Sequence, residues 1–282
     1  MPRRLTLATS ALAATLLGCS KKAPPPPANP TPVVVRVVAT DFAFSAPDTI
    51  PAGVVTMWVV NQGKEPHQAV ILRLAPGKTA ADFASGLAAM AKTPGTPPPW
   101  TAEAGGPNAE LPGDSGNATQ VLQPGTYVLA CFVPSRDGIP HVMKGMLRTI
   151  VVTGAPVAAP KEPDADVVVT LTDYAFALSK PVTAGAHTFR VDNNGAQHHE
   201  LVLVGLAPGK KIKDVSAWAE GGMKGPPPMT RIMGVGGIDA GSHASFSGTL
   251  SAGNYGLICF LPDVKDGKSH DVHGMMLDFT VQ

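Results

Sequence analysis

The sequence predicts an all-β protein built of two tandem Greek-key β-sandwich domains, and three observations carry that expectation. The chain is 44% hydrophobic and only 15% charged, with 30 Gly and 29 Pro, a balance that suits short strands broken by many turns better than long helices. Its 282 residues are enough for two domains that each bury a core. The third observation is that the chain is written twice. Asp41-Phe42-Ala43-Phe44 recurs as Asp173-Tyr174-Ala175-Phe176, and Asn61-Gln62-Gly63 through His67 recurs as Asn193-Asn194-Gly195 through His199, both at an offset of 132. Gly125-Thr126-Tyr127-Val128-Leu129-Ala130-Cys131-Phe132 returns as Gly253-Asn254-Tyr255-Gly256-Leu257-Ile258-Cys259-Phe260 at 128, so short insertions separate blocks that a common fold holds fixed.

From the N-terminus, Arg3 and Arg4 precede an apolar run, Leu5 to Leu17, that ends in Gly18-Cys19. That run is too short to span a bilayer and reads as an export signal over residues 1–18. Leu16-Leu17-Gly18-Cys19 resembles a bacterial lipobox, which implies cleavage before Cys19 and its lipidation, and hence an exported chain tethered to a bacterial membrane and facing periplasm or cell surface. Removing residues 1–18 takes two of the 22 basic side chains and leaves 20 against 21 acidic ones. No basic block remains to hold nucleic acid, which is not expected as a partner. Residues 19–32, with Pro24-Pro25-Pro26-Pro27, form a Pro-rich stalk.

The first domain is expected over 33–154, a Pro/Ala linker over 155–165 and the second domain over 166–282. Val33–Val38, Val54–Val60, Gln68–Leu74, Tyr127–Val133 and Leu147–Val152 are short apolar or β-branched runs bounded by Gly, Pro or Asn, the signature of strands. Ala80–Ala91 and Ile212–Ala219 lack strand alternation and carry helix formers, so each predicts a short helix.

Within each half a His opens one strand, a Cys closes a later one, and a His and a Met follow in the next loop. The sets are His67, Cys131, His141, Met146 and His199, Cys259, His270, Met275. Two imidazoles, a thiolate and a thioether form a soft donor set suited to copper cycling between Cu(I) and Cu(II). Strand alternation turns Cys131 inward with Leu129 and Tyr127, and Cys259 with Leu257 and Tyr255. An exported chain with two further cysteines would ordinarily suggest a disulfide, but joining Cys131 to Cys259 would require inward-facing sulfurs of different cores to meet.

Cys131 to His141-Val142-Met143-Lys144-Gly145-Met146 and Cys259 to His270-Asp271-Val272-His273-Gly274-Met275 resemble the cupredoxin family of plastocyanin- and azurin-like blue copper proteins. The His-to-Met interval is similar to that of plastocyanins and of the blue-copper domain of copper nitrite reductases. The resemblance implies two cupredoxin-like sandwiches, the eight residues above as ligands and two type 1 coppers per chain. The residue after each ligand Cys is Phe, and Gln68 or Glu200 follows the first His; both depart from the family's usual small or hydrogen-bonding residues and bear on the redox potential. His187, His198, His243 and His273 occur only in the second half and read as surface or hydrogen-bonding groups, with His198 and His273 placed to modulate a site or take further copper.

The function this implies is one-electron transfer to and from redox partner proteins of the cell envelope, without catalysis, because four protein ligands leave no open metal position. Docking is expected on an apolar rim of Pro134, Gly138, Pro140, Val142, Met143 and Gly145 around His141 in the first half, and of Pro262, Gly267, Val272 and Gly274 around His270 in the second. A copper-delivery module would use the same ligands. A multicopper oxidase or nitrite reductase would need a second centre fed by His residues beside the Cys, and Ala130-Cys131-Phe132 and Ile258-Cys259-Phe260 offer none.

Overall fold

The computed structural model describes residues 32–90, 97–155 and 161–282. The signal, Cys19 and nearly all of the stalk lie outside the described residues, as does the middle of the 155–165 linker. The described residues are all-β with two short α-helices and one 3-10 turn at His141–Lys144. The first half comprises β1 (Val33–Thr40), β2 (Ala43–Ser45), β3 (Thr49–Pro51), β4 (Gly53–Asn61), β5 (Val70–Leu74), α1 (Ala80–Met90), β6 (Thr101–Glu103), β7 (Ser115–Leu122), β8 (Gly125–Ala130) and β9 (Leu147–Thr153). The second comprises β10 (Val167–Thr172), β11 (Ala175–Leu178), β12 (Gly185–Asn193), β13 (His199–Leu206), α2 (Ile212–Glu220), β14 (Met229–Ile238), β15 (His243–Leu250), β16 (Gly253–Ile258) and β17 (Met276–Val281).

Period-two burial builds the first core. Val35, Val37 and Ala39 of β1 and Val55, Met57 and Val59 of β4 face Ile71, Leu129, Ile150 and Val152 of the opposite sheet, as a half-buried strand requires. β8 is buried on both faces, because its alternate residues Val128 and Ala130 pack under Phe83 and Leu87 of α1. A capping box starts that helix: Thr79 Oγ1 accepts the Asp82 N–H, and Asp82 Oδ2 accepts the Thr79 N–H at 2.8 Å. In the second half, Ile212 and Val215 of α2 cover Val202, Val204 and Ile258 in the same way.

The halves join edge to edge. One eight-stranded sheet runs in the order β11-β10-β12-β15-β7-β4-β1-β2, a palindrome in which β15 and β7 meet at the centre through Ser245 and Thr119. Asn117 closes that junction, donating to the Ser247 carbonyl at 2.8 Å and accepting the Ser247 N–H at 3.0 Å. Asn117 and Ser245 are 128 apart in sequence, as are Thr119 and Ser247. Corresponding residues therefore exchange partners across the junction, which is what a local two-fold axis does. A second seam repeats the pattern, with Ala104 bridged to Ile238 and Pro107 to Val235. There Gly105 N–H donates to Gly237 O at 2.8 Å and Gly236 N–H to Gly106 O at 2.9 Å. The other two sheets, β14-β13-β16-β17 and β3-β9-β8-β5-β6, complete the two sandwiches. Among the described residues no helix is long and apolar enough to cross a membrane.

Candidate metal centres

Three side chains of each half converge, all fully buried: His67, Cys131 and His141 in the first, His199, Cys259 and His270 in the second, with their donor atoms within 4.8 Å of one another in each set. His67 precedes β5 and is fixed by a two-bond bridge to Glu110, at 3.1 and 2.9 Å. Cys131 and Cys259 stand one residue past β8 and β16, at the same end of each sandwich as the histidines. The loop after each cysteine folds back on it. Met146 O accepts the Cys131 N–H at 3.3 Å, Cys131 O accepts the Val142 N–H at 2.7 Å, and His141 O accepts the Met146 N–H at 3.0 Å. Met275, Cys259, Asp271 and His270 repeat that arrangement. Met146 and Met275 are fully buried in the same cores as the cysteines. Both cysteines are free thiols, so no disulfide joins them.

Tautomer decides what these groups can do. His67 Nε2–H donates to Asp41 Oδ1 at 2.8 Å, and His141 Nε2–H donates to Glu65 Oε2 at 2.8 Å. With each ring's proton held on Nε2 by a carboxylate, both Nδ1 atoms carry lone pairs. Those two Nδ1 atoms lie 3.0 Å apart, and Cys131 Sγ lies 3.3 Å from His141 Nδ1 and 4.0 Å from His67 Nδ1. Two facing lone pairs share at most the one proton of the neighbouring thiol, in a dry cavity; the donor set fits a soft metal ion. In the second half, His199 Nδ1 and His270 Nδ1 are again 3.0 Å apart, with Cys259 Sγ 3.4 Å from His270 Nδ1 and His199 Nε2–H bound to Asp173 Oδ1 at 2.8 Å.

Burial sets the protonation of this shell. It lowers the pKa of His67 despite the opposing bond to Asp41, lowers that of His199, and brings His270 down to about 4 with help from His199 and His198. It pushes the Cys131 thiol up to about 12 and Cys259 well above its ordinary value. Each sulfur accepts the backbone N–H that follows the first histidine, from Gln68 at 3.5 Å and from Glu200 at 3.4 Å. Burial would raise Asp41 too, but the bond to His67 and the Lys64 and Glu65 N–H groups outweigh it and hold the carboxylate below its usual range.

The two centres differ behind the second histidine. Glu65 corresponds to Gln197 at the repeat offset, and His270 Nε2 has no hydrogen-bond partner. Its nearest carboxylate, Asp263, is 3.9 Å away and is already engaged by the Tyr174 hydroxyl at 2.5 Å and the Gln197 amide at 2.8 Å.

Sequence reasoning did not assign Asp41, Asp173, Glu65 or the asparagines Asn61 and Asn193. All five sit in the repeated blocks and four of them recur as the same residue, so recurrence of an acid at Asp41 and Asp173 was the available signal. Of the second-half histidines, His187 binds Asp166, His243 binds Glu162 and His273 binds Asp266. His198 is half-buried and its Nε2 is unpartnered. The expected rims change in two members: Pro262 is buried in the second half, and Val142 is buried in the core against Leu72 and Phe83, whereas Ile139 and Met143 are exposed. The position of Val142 in the turn after His141 points it inward.

No family model matches the chain, and no curated protein matches it. Among solved structures it is similar to a reduced auracyanin from Roseiflexus castenholzii, with 19% identity over 43% of this chain and 98% of that one and a TM-score of 0.28. It is also similar to a blue copper oxidase from Nitrosomonas europaea, with 14% identity over 89% of this chain and 86% of that one and a TM-score of 0.26. A copper nitrite reductase from the same organism aligns with 15% identity over 89% of this chain and 94% of that one, at a TM-score of 0.24.

Proposed function

We propose that the chain is a copper-binding electron-transfer protein of the bacterial cell envelope, tethered through lipid on Cys19, with one type 1 copper in each half. The observation that carries the copper reading is the pair of Nδ1 lone pairs 3.0 Å apart beside a buried thiol, met in both halves. His67, Cys131, His141 and Met146 would hold one ion, and His199, Cys259, His270 and Met275 the other. Bound copper supplies a one-electron couple.

The chain's own residues do the rest. Asp41, Glu65 and Asp173 keep the ring protons on Nε2, so the donor atoms are oriented before the ion arrives and need not reorganise when its charge changes. Complete burial of both imidazoles, the sulfur and the methionine in each half excludes water from the donor atoms, which favours electron exchange over bond-making at the metal. Over the first centre the exposed side chains Ile139 and Met143, and over the second Val264 and Val272, supply an apolar rim on which a redox partner protein would dock.

The test is the visible spectrum of the Cu(II)-loaded protein, for wild type, Cys131→Ser and Cys259→Ser. An intense thiolate-to-copper band, at about half strength in each variant, is expected from two such centres. Bound copper without the band would remove the blue-copper reading and favour a copper carrier. Intact-mass measurement of the membrane-extracted chain tests Cys19: an unmodified mature N-terminus removes the tether.

A further inference from the structure

Between the two halves lies a cavity of about 420 Å³, within the range of small-molecule sites. Phe132 and Phe260, which follow the two cysteines, stand in its wall together with Trp218, Val204 and Met229. The lining comes from both halves and is largely apolar, closed on one side by α2. Four acidic residues stand in it: Glu220 at the exposed rim, Asp271 engaged by the Ser216 and Ser269 hydroxyls, and Glu103 and Glu200. Glu200 is satisfied, accepting the Phe260 N–H at 3.0 Å and the Asn108 amide at 3.0 Å. Glu103 is 9% exposed and its Oε2 has no hydrogen-bond partner. A Cβ on Gly237, also in the wall, would stand 2.6 Å from that oxygen, so the glycine keeps the carboxyl's place open. A buried polar atom without a partner costs roughly 1–3 kcal/mol, a cost that a ligand hydroxyl would recover by drawing the carboxyl toward the cavity.

We propose that this cavity binds a neutral molecule of the phenol class, its ring among the aromatic and aliphatic walls and its hydroxyl on Glu103. A hydroxyl both donates and accepts, so it pairs with the carboxyl in either protonation state. Burial raises Glu103 to about 8, which leaves a cationic amine facing a neutral acid in an apolar wall and disfavours it. A carboxylate ligand would meet a wall that carries four acidic residues. The site needs no metal, so it stands or falls apart from the copper reading.

The test is titration of the whole chain, metal-free and Cu(I)-loaded, with 2-naphthol, 2-methylnaphthalene and 2-naphthoate, followed by Trp218 fluorescence and calorimetry. The expected result is one saturable 2-naphthol site, with the methyl analogue about tenfold weaker and the carboxylate not bound. Glu103→Leu should abolish the preference for naphthol over its methyl analogue, and Ala219→Trp, at the half-buried edge of α2, should weaken both. If Glu103→Leu does not fold, nuclear Overhauser contacts from naphthol to the methyls of Val204 and Met229 in the wild type take its place. No saturable binding, equal binding of naphthol and methylnaphthalene, a preference that survives Glu103→Leu, or contacts elsewhere would each overturn the proposal.

Discussion

Gly63 and Gly195 show how closely a single residue is tied to each centre. A Cβ on Gly63 would stand 2.3 Å from Asp41 Oδ1 and 2.4 Å from His67 Nε2, and one on Gly195 would stand 2.6 Å from both Asp173 Oδ1 and His199 Nε2. The loop thus crosses the carboxylate–imidazole bond with room for a hydrogen only. Gly63→Ala should break that bond and loosen the His67 ring, lowering copper affinity of the first centre by about 10–100-fold; Asp41→Asn should do the same, and competition with a chelator of known affinity measures both. The unequal partners of His141 and His270 make a second prediction. An imidazole bonded to a carboxylate is the more basic donor and favours the more highly charged metal, so the first centre should have the lower potential. Glu65→Gln should move it upward toward the second, and redox titration that finds one unchanged wave in both proteins contradicts this. The high thiol pKa values give a third. At neutral pH both cysteines are protonated and His67, His199 and His270 are not charged, so loading should release about one proton per site, taken from sulfur. Calorimetry in buffers of different ionisation enthalpy reads that number, and serine in place of either cysteine should cut it by half.

At the scale of elements, the loops that carry the histidines are held from behind by a side chain that mimics backbone. Asn61 Nδ2–H donates to Glu65 O at 2.9 Å and Glu110 O at 2.8 Å while its Oδ1 accepts the Gly63 N–H, and Asn193 binds Gln197, Ile238 and Gly195 in the same way. The strands were legible because alternation follows directly from burying one face, and observed bounds differ from expectation where the partner decides. β5 begins at Val70 rather than Gln68, since His67 bridges Glu110 through both backbone groups and leaves the ladder there. Both short helices were legible from helix formers and lost alternation. Their role was not, because covering the outer face of β5 and β8 depends on a layer order that no local pattern encodes. The convergence of His, Cys, His and Met was readable from repetition, whereas Glu65 has no counterpart acid in the second half to mark it. Phe83→Ala should cost about 3–5 kcal/mol of stability, measured by urea unfolding, because Phe83 is fully buried between α1 and the sheet; a loss under 1 kcal/mol would mean that α1 does not anchor there.

The whole molecule is organised by the seam between its halves, and sequence did not disclose it. Residues 104–108 carry no strand alternation of their own, because their hydrogen bonds are divided between Ala69 and Ile71 of the first half and Gly234 to Ile238 of the second. The seam buries acids that titrate abnormally, and this makes stability depend on pH in a direction opposite to common acid denaturation. Glu103 is raised to about 8 by burial, with the charges of Asp239 and Glu200 adding, and burial raises Glu200 to about 7 against the pull of its Phe260 and Asn108 bonds. In the unfolded chain both ionise near 4.5. Below that value folded and unfolded states are equally protonated and the contribution to stability is fully present. As pH rises, the unfolded state gives up its protons first while the folded state keeps them, so the unfolded state gains and stability falls until Glu103 itself ionises near 8. Glu103→Gln stays neutral throughout. Between pH 5 and pH 8 the wild type should therefore lose stability relative to Glu103→Gln by an amount on the order of a few kcal/mol, and then run parallel to it. Urea unfolding of both proteins across that range isolates the one carboxyl, since every other group is common to them. Parallel curves from the start would mean that water or a cation reaches Glu103 and that the seam is open to solvent.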